Sequence, residues 1–421
     1  MIAEERKKVG DNFADDDFWM QEDEILQLKS PWLYDDWQAV RSDLFAEAFN
    51  VHRAFIDAAA KQLSSNLRGV IEIIGGKALP GELEPLRRHL WSTLFLIVPV
   101  ISATFASIGR LFGSLDKEQL GWLLIDEAGQ ATPQAAVGAI WRARRVLVVG
   151  DPLQIQPVVT MPPELISKIF VSLDFKKEEE RDWAAPEASV QTLADKASFF
   201  GTCLKIEDEA EGCERDIWVG CPLRVHRRCH RPMFDISNNV AYNGMMIYGT
   251  IESDSEIGKI LGDSRWLHVP LGGNVNEKWS EDEGNFAFGL LRQLLNEGIN
   301  NPDIFFISPF RIVADNLRKL IMELIMKDST ITRPVSNDQR WIHDRVGTIH
   351  TFQGKEADTV VIVLGAPSDD GKSCGARMWA GQQPNLLNVA VTRAKRRLYV
   401  IGNREAWKNA GYFQYLDRGL E

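Results

Sequence analysis

The stretch GWLLIDEAGQATPQAAVGAIWRARRVLVVGDPLQIQPV, residues Gly121–Val158, decides how this chain folds. It contains two apolar runs, WLLI and VLVVG, and each stops at an acidic residue, Asp126 and Asp151. Runs that are apolar at every position are strands buried on both faces. Such strands belong to parallel sheets flanked by helices. Asp126 and Glu127 are therefore expected at the carboxyl edge of a parallel sheet, where ligand sites of α/β proteins lie. An Asp-Glu pair alone also describes an ordinary acidic turn after a strand. What gives it a context is the second run, which ends in Gly150-Asp151-Pro152-Leu153-Gln154.

The same texture extends outward. LFLIVPVIS (residues 94–102), IFFISP (304–309), TVVIVLG (359–365) and LYVIGN (398–403) are expected strands, alternating with helical stretches, so the fold class is α/β with parallel sheets. Toward the N-terminus the pattern changes. From Asp35 to about Ile74, Trp37, Leu44, Ala48, Val51, Phe55 and Ala59 recur at helical spacing, and Asp35 and Asp36 suit a helix start. Residues 1–90 read as a mostly helical accessory segment, 91–215 as a first α/β region and 216–421 as a second. The acidic stretch from about Asp174 to Asp216 reads as a linker or exposed insertion.

Composition narrows the function. A chain of 421 residues is long enough for two or three cores, and 45% hydrophobic with 25% charged residues describes a globular chain. No apolar run approaches the roughly 18 to 20 residues of a membrane span, the N-terminus lacks a signal-peptide pattern, and the expected location is the cytoplasm. The five cysteines lack CxxC pairs and do not form a disulfide framework. The net charge of −11 argues against a protein that coats nucleic acid indiscriminately, but base concentrates locally in Arg224–Arg231 and Arg393–Arg397.

In a nucleoside triphosphatase the first carboxylate of such a pair holds Mg²⁺ and the second activates water, while an uncharged Gln suits a γ-phosphate sensor. DEAGQ followed by GDPLQIQP resembles the Walker B and sensor motifs of superfamily 1 helicases. The likeness is to the branch of the nonsense-mediated decay helicase and the Okazaki-fragment nuclease-helicase. Further segments match in the family's order: LRVHRRCHRPMFDISNNVAY (Leu223–Tyr242), Ser308-Pro309-Phe310, VGTIHTFQGKEADTVVIV (Val346–Val363) and LNVAVTRAKRRLYVIG (Leu387–Gly402). The resemblance spans residues 92–403 and hardly touches residues 1–90. It implies two RecA-like folds of the P-loop NTPase type, a partial one over 91–215 and a complete one over 216–421, with ATP hydrolysis at the cleft between them.

The resemblance also implies roles. Asp126 would bind Mg²⁺, Glu127 would be the general base, and Gln154 would contact the γ-phosphate of ATP. Arg228 and Arg393 would be arginine fingers. Gln353, Gly354 and Glu356 would lie against the nucleotide, Glu356 at its ribose. Where the family often has a base-stacking aromatic, this chain has Arg227, whose planar guanidinium can also stack. Thr104 and Ser107, and in the second half Thr348 and His350, match positions that hold the backbone of single-stranded DNA or RNA; such contacts position a strand without reading its sequence. Most tryptophans, such as Trp122 and Trp141, lie in apolar patterns and are expected in the core.

Two features are read conservatively. Cys221, His226, Cys229 and His230 lie close together, but their spacing matches no common zinc motif and the helicase motif explains them. A phosphate loop should read GxxxxGK followed by Ser or Thr. Gly75-Gly76-Lys77 is followed by Ala78, and Gly371-Lys372-Ser373 follows two aspartates and is read as a surface loop. The expected partner is therefore an upstream segment that carries Walker A. The alternative is a non-catalytic pseudo-motor that binds nucleic acid or a protein.

Overall fold

The computed structural model describes residues 2–176, 180, 182–208, 213–271, 275–327 and 339–420. Within the acidic stretch, residues 177–179, 181 and 209–212 lie outside the described residues. The chain forms two compact units, one of Met1–Gly150 with Pro157–Leu193 and one of Asp151–Gln156 with Ala194–Glu421. No described helix is long and apolar enough to cross a membrane.

In the first unit the expected helical run consists of two helices, Asp35–Ala58 and Ala60–Ile74, broken at Ala59. The first buries none of its residues, so Trp37, Leu44, Val51 and Phe55 stay exposed. LFLIVPVIS is not a strand. Its first half ends the helix Arg87–Ile97, and the remainder has no regular secondary structure. The reason is spacing: Trp91 and Phe95 lie one helical turn apart, and both rings meet Phe112, Phe95 stacked and Trp91 tilted, with Trp91 buried. Ser102–Thr104 therefore follow a helix and an irregular stretch, and Ser107 lies in the short helix Phe105–Leu111.

Strands β1 (Leu120–Ile125) and β2 (Ala143–Val148) pair in parallel, with Leu124 opposite Leu147. The helix Pro133–Arg142 connects them, as a parallel pair requires, and opens on a proline whose missing N–H is no loss at a helix start. Its Ala136 and Ala139 are buried, small enough for close approach to the strands.

The second unit holds a complete α/β layer. Part of the expected linker is an antiparallel hairpin, β3 (Thr202–Asp208) with β4 (Cys213–Val219). Its charged residues hide a strand pattern that is apolar mainly at alternate positions, and Leu204 and Val219 are buried. Small pairs follow: β5 (Val225–His226) with β6 (Ile247–Tyr248), and β8 (Val275–Asn276) with β9 (Trp279–Ser280). The main sheet contains β7 (Arg265–His268), β10 (Ile304–Ser308), β11 (Val346–Thr348), β12 (Ala357–Val363) and β13 (Ala394–Gly402). All are parallel, in the order β11-β10-β12-β13-β7. Every residue of β10 and β12 is buried, as their continuous apolar runs require. The helices Met233–Ala241, Glu281–Asn296, Arg311–Lys327 and Pro384–Thr392 contribute apolar residues to the same core. This arrangement is the RecA-like α/β fold, complete in the second unit and partial in the first.

Candidate nucleotide and nucleic-acid sites

In the first unit, β1 delivers Asp126 and Glu127 at its carboxyl end. Asp126 is exposed and accepts from the Glu127 amide at 2.9 Å. Glu127 takes a left-handed backbone (φ 52°, ψ 39°), a conformation that costs a non-glycine residue about 1 to 3 kcal/mol and collects at functional sites. Its Oε2 accepts from Gln130 Nε2 at 3.0 Å, which fixes the carboxylate over the turn. The end of β2 presses on this turn. A side chain at Gly150 would stand 2.8 Å from the Ala128 amide nitrogen, so only glycine lets the two strand ends close.

Gln154 sits in a polar network of the second unit. Its Nε2 donates to Asp151 Oδ2 at 3.1 Å, and its buried Oε1 has no hydrogen-bond partner among the described residues. The Tyr242 hydroxyl donates to the same Asp151 oxygen and accepts from Asn388 Nδ2 at 3.0 Å. Asn388 also accepts from Ser237 Oγ at 2.7 Å. Desolvation, with Asp151 beside it, pushes the Tyr242 phenol well above its usual range, so it stays a donor. Asn388 lies on the helix Pro384–Thr392, which leads directly into Arg393.

Arg228, Arg393 and Glu356 gather at the amino-terminal edge of the main sheet. Glu356 just precedes β12, and Arg393 just precedes β13. Glu356 bridges Arg228 at 2.9 Å and Lys395 at 3.0 Å. The hydrogen bond from Lys395 and the charges of Lys395, Arg228 and Arg393 hold its carboxyl below the usual range. Three cations surround one carboxylate, so the cluster suits a polyanion. The two candidate fingers differ. Arg228 is exposed, whereas Arg393 is buried and donates to Val389 O at 3.2 Å and Lys355 O at 3.1 Å. Gly354 has φ +73°, and the buried Gln353 Nε2 has no partner among the described residues. Arg227 is exposed.

The cysteine and histidine cluster is engaged internally. His226 Nε2 accepts from the Cys229 amide at 2.9 Å, and burial followed by the Arg228 charge lowers its pKa to about 4. Burial pushes the Cys229 thiol up to about 12, and its sulfur contacts Thr392 O at 3.5 Å. Gly371-Lys372-Ser373 opens the helix Gly371–Gly381, and the amides of Lys372 and Ser373 donate to Asp370 Oδ1 at 2.8 and 2.9 Å. A side-chain carboxylate thus holds the amides that a phosphate would use.

The hydroxyls proposed for nucleic acid form similar pairs in both units. Thr104 Oγ1 lies 3.2 Å from Ser107 Oγ, and Thr348 Oγ1 lies 3.1 Å from Thr351 Oγ1. His350 is exposed beside the second pair, which follows the carboxyl end of β11. Ser107 also lines a cleft of about 420 Å³ with Ile74, Ser102, Ala103, Arg110 and Leu111. Sequence reasoning missed Arg110, Lys395, Tyr242 and Asn388. The cleft and the network exist only after folding, and nothing in the local pattern marks these residues.

Two family models, each described as an AAA domain, match residues 72–162 and 213–405. The chain is 22% identical to the DNA replication ATP-dependent helicase/nuclease DNA2 of Mus musculus, over 74% of this chain and 27% of that protein. It is 23% identical to Regulator of nonsense transcripts 1 of Caenorhabditis elegans, over 80% of this chain and 29% of that protein. The structure of an arterivirus helicase, nonstructural protein 10, aligns with a TM-score of 0.29 at 14% identity, over 69% of this chain and 42% of that one. The chain thus spans under a third of the length of these two curated relatives. Fold and matches define a two-part, AAA-type P-loop NTPase. Within that class the chain belongs to the superfamily 1 helicases, in the branch of the nonsense-mediated decay helicase and the Okazaki-fragment nuclease-helicase.

Proposed function

We propose that the chain is the motor portion of an ATP-dependent helicase or translocase that acts on single-stranded DNA or RNA. The observation that carries this is the Asp126-Glu127 pair at the carboxyl end of β1, with Glu127 held in a strained left-handed turn. ATP and Mg²⁺ fit the residues in part: the partnerless amide atoms of Gln154 and Gln353 and the exposed Asp126 carboxylate suit a magnesium nucleotide. Bound Mg²⁺ would neutralise phosphate charge. Asp126 would hold the metal, and Glu127 would orient water and accept its proton. Gln154 would report the terminal phosphate. Arg228 and Arg393 would stabilise the charge that develops on phosphoryl transfer. Gly354 and Glu356 would lie at the nucleotide, with Arg227 available for stacking. Thr104, Ser107, Thr348 and His350, with Arg110 beside Ser107, would hold strand phosphates in the cytoplasm of the cell.

Asp370 already holds the amides of Lys372 and Ser373, so this helix start offers a phosphate no free cradle. We therefore place Walker A on a further segment that completes the motor. The test is phosphate release stimulated by nucleic acid, with and without that segment. In the complete motor, Glu127→Gln should keep nucleotide binding and lower release by about 10² to 10⁴. Turnover within a few-fold of the parent would make the base assignment wrong. Completion that restores no turnover, with both parts folded, would favour a non-catalytic module.

A further inference from the structure

The helix Gly371–Gly381 follows β12 at the carboxyl edge of the main sheet, and its two sides differ. Ser373, Ala376, Arg377 and Ala380 are buried. The Arg377 guanidinium anchors the helix by donating to the carbonyls of Ala366 and Ser368 at 2.7 and 2.6 Å. The outer side carries Lys372, Gly375 and Trp379, which stand three and four residues apart and share one face. Trp379 is 49% exposed, yet its ring meets that of Phe310, with centroids 6.1 Å apart. Phe310 is buried and rests in turn on Trp407. Part of the indole is thus backed by core aromatics, and the rest is open to solvent. Gly375 adds to the opening, because a side chain there would meet nothing within 4 Å.

This ring stands beside the hydroxyl pair of Thr348 and Thr351. β10 and β11 pair with Ser308 opposite Thr348, so Phe310 and His350, each two residues further on, leave neighbouring strand ends about 5 Å apart. Cations flank the ring. Lys278 Nζ lies 4.5 Å over the Phe310 ring, and the exposed Lys372 stands about 10 Å along the helix from Trp379. The acids that precede the helix are engaged: Asp370 holds the amides of Lys372 and Ser373, and Asp369 pairs with Arg377 at 3.4 Å. An open ring with lysines and hydroxyls around it has the chemistry of a nucleotide site, with the ring for a base and the lysines for phosphate. An apolar helix of a protein partner fits less well. The large exposed apolar side chains of this helix are Met378 and Trp379, and charge borders them.

We propose that Trp379 is a base-stacking platform, which holds an unpaired base of single-stranded DNA or RNA while Lys372 takes a neighbouring phosphate. This rests on reading the chain as a strand-binding motor. It adds a contact that needs a base, whereas the hydroxyls of Thr348 and Thr351 need only a backbone. Stacking of this kind tolerates any base, because every base has a π face. A base inside a duplex is covered by its neighbours, so the platform selects single strands.

The test measures binding of the full chain to two labelled probes by fluorescence anisotropy. One is an oligothymidylate, and the other is an abasic strand of the same length and charge. The parent should prefer the thymidylate by about five- to a hundredfold, the range for one base stacked on one aromatic ring. Trp379→Ala should bring that ratio toward one and leave affinity for the abasic strand unchanged. Trp379→Phe should keep most of the preference. Lys372→Ala should weaken both probes alike and lower the salt slope by about 0.7. Met378→Ala, at the exposed neighbour, should change neither affinity. A loss confined to the probe that has bases cannot come from a damaged fold. Equal binding of the two probes by the parent, or a preference that survives Trp379→Ala, would overturn the proposal and leave strand binding through the backbone standing. No binding of either probe would overturn the strand-binding reading itself, and the proposal with it.

Discussion

Arg228 and Arg393 show how two residues given the same role can do different structural work. Arg228 is exposed, and its bridge to Glu356 is half-exposed, so its removal should change stability by no more than about 1 kcal/mol. Arg393 is buried, and without it the carbonyls of Val389 and Lys355 each lose one donor, although Val389 O keeps the Thr392 hydroxyl at 3.3 Å. Arg393→Ala should therefore cost about 1 to 3 kcal/mol in urea unfolding of the chain itself. Equal effects of the two variants would show that Arg393 does not hold this edge of the sheet together. Glu283 makes a second prediction. Burial pushes its carboxyl up to about 8, against the opposing pull of the Gly365 amide, which donates to Oε2 at 2.7 Å. The folded chain then keeps a proton that the unfolded chain releases above about 4.5. The stability from this group is full below that pH and is lost as pH rises through about 8. Glu283→Gln should flatten the decline in melting temperature across that window, and an unchanged pH profile would mean the carboxyl ionises normally in the fold.

At the scale of elements, the continuous apolar runs that became β10, β12 and β13 were legible because burial on both faces leaves no other pattern, whereas β1 and β2 carry the same kind of run with much of it exposed. LFLIVPVIS was misread because an apolar run of that length also fits the end of a helix, and the aromatic partner that decides, Phe112, lies beyond it. The hairpin of β3 and β4 was hidden by charge. The site was legible as motifs, but the couplings among them were not: Asn388 meets Tyr242 and Ser237 only through tertiary packing of two helices. That network carries its own prediction. Tyr242→Phe leaves an oxygen of Asp151 and an amide of Asn388 each short of a partner, and should cost about 1 to 3 kcal/mol. A double-mutant cycle with Asn388→Ala should be non-additive, because both changes remove the same hydrogen bond. Lys372→Ala, by contrast, should leave nucleotide binding by the complete motor unchanged, since Asp370 already satisfies the amides at that helix start. Loss of ATP binding in that variant would make the loop a phosphate site after all.

For the whole molecule, the net charge of −11 makes nucleic-acid binding a question of how few local cations act against a repelling background. The candidate contacts are mostly hydroxyls, at Thr104, Ser107, Thr348 and Thr351, and hydroxyls bind phosphate without releasing a condensed cation. Arg110 differs, because a guanidinium that neutralises one phosphate of a single strand contributes about −0.7 to the slope of log affinity against log salt. The lone chain should therefore bind an oligothymidylate weakly, with a shallow slope that reflects only a few ionic contacts. Arg110→Ala should reduce both the affinity and the slope, the slope by about 0.7. Thr104→Ala should reduce affinity and leave the slope unchanged, because it removes a hydrogen bond and no ionic contact. Fluorescence anisotropy over a salt series separates the two effects. A steep slope that survives Arg110→Ala would place the strand on the basic clusters Arg224–Arg231 or Arg393–Arg397 instead, and would remove the cleft beside Ser107 from the path of the nucleic acid.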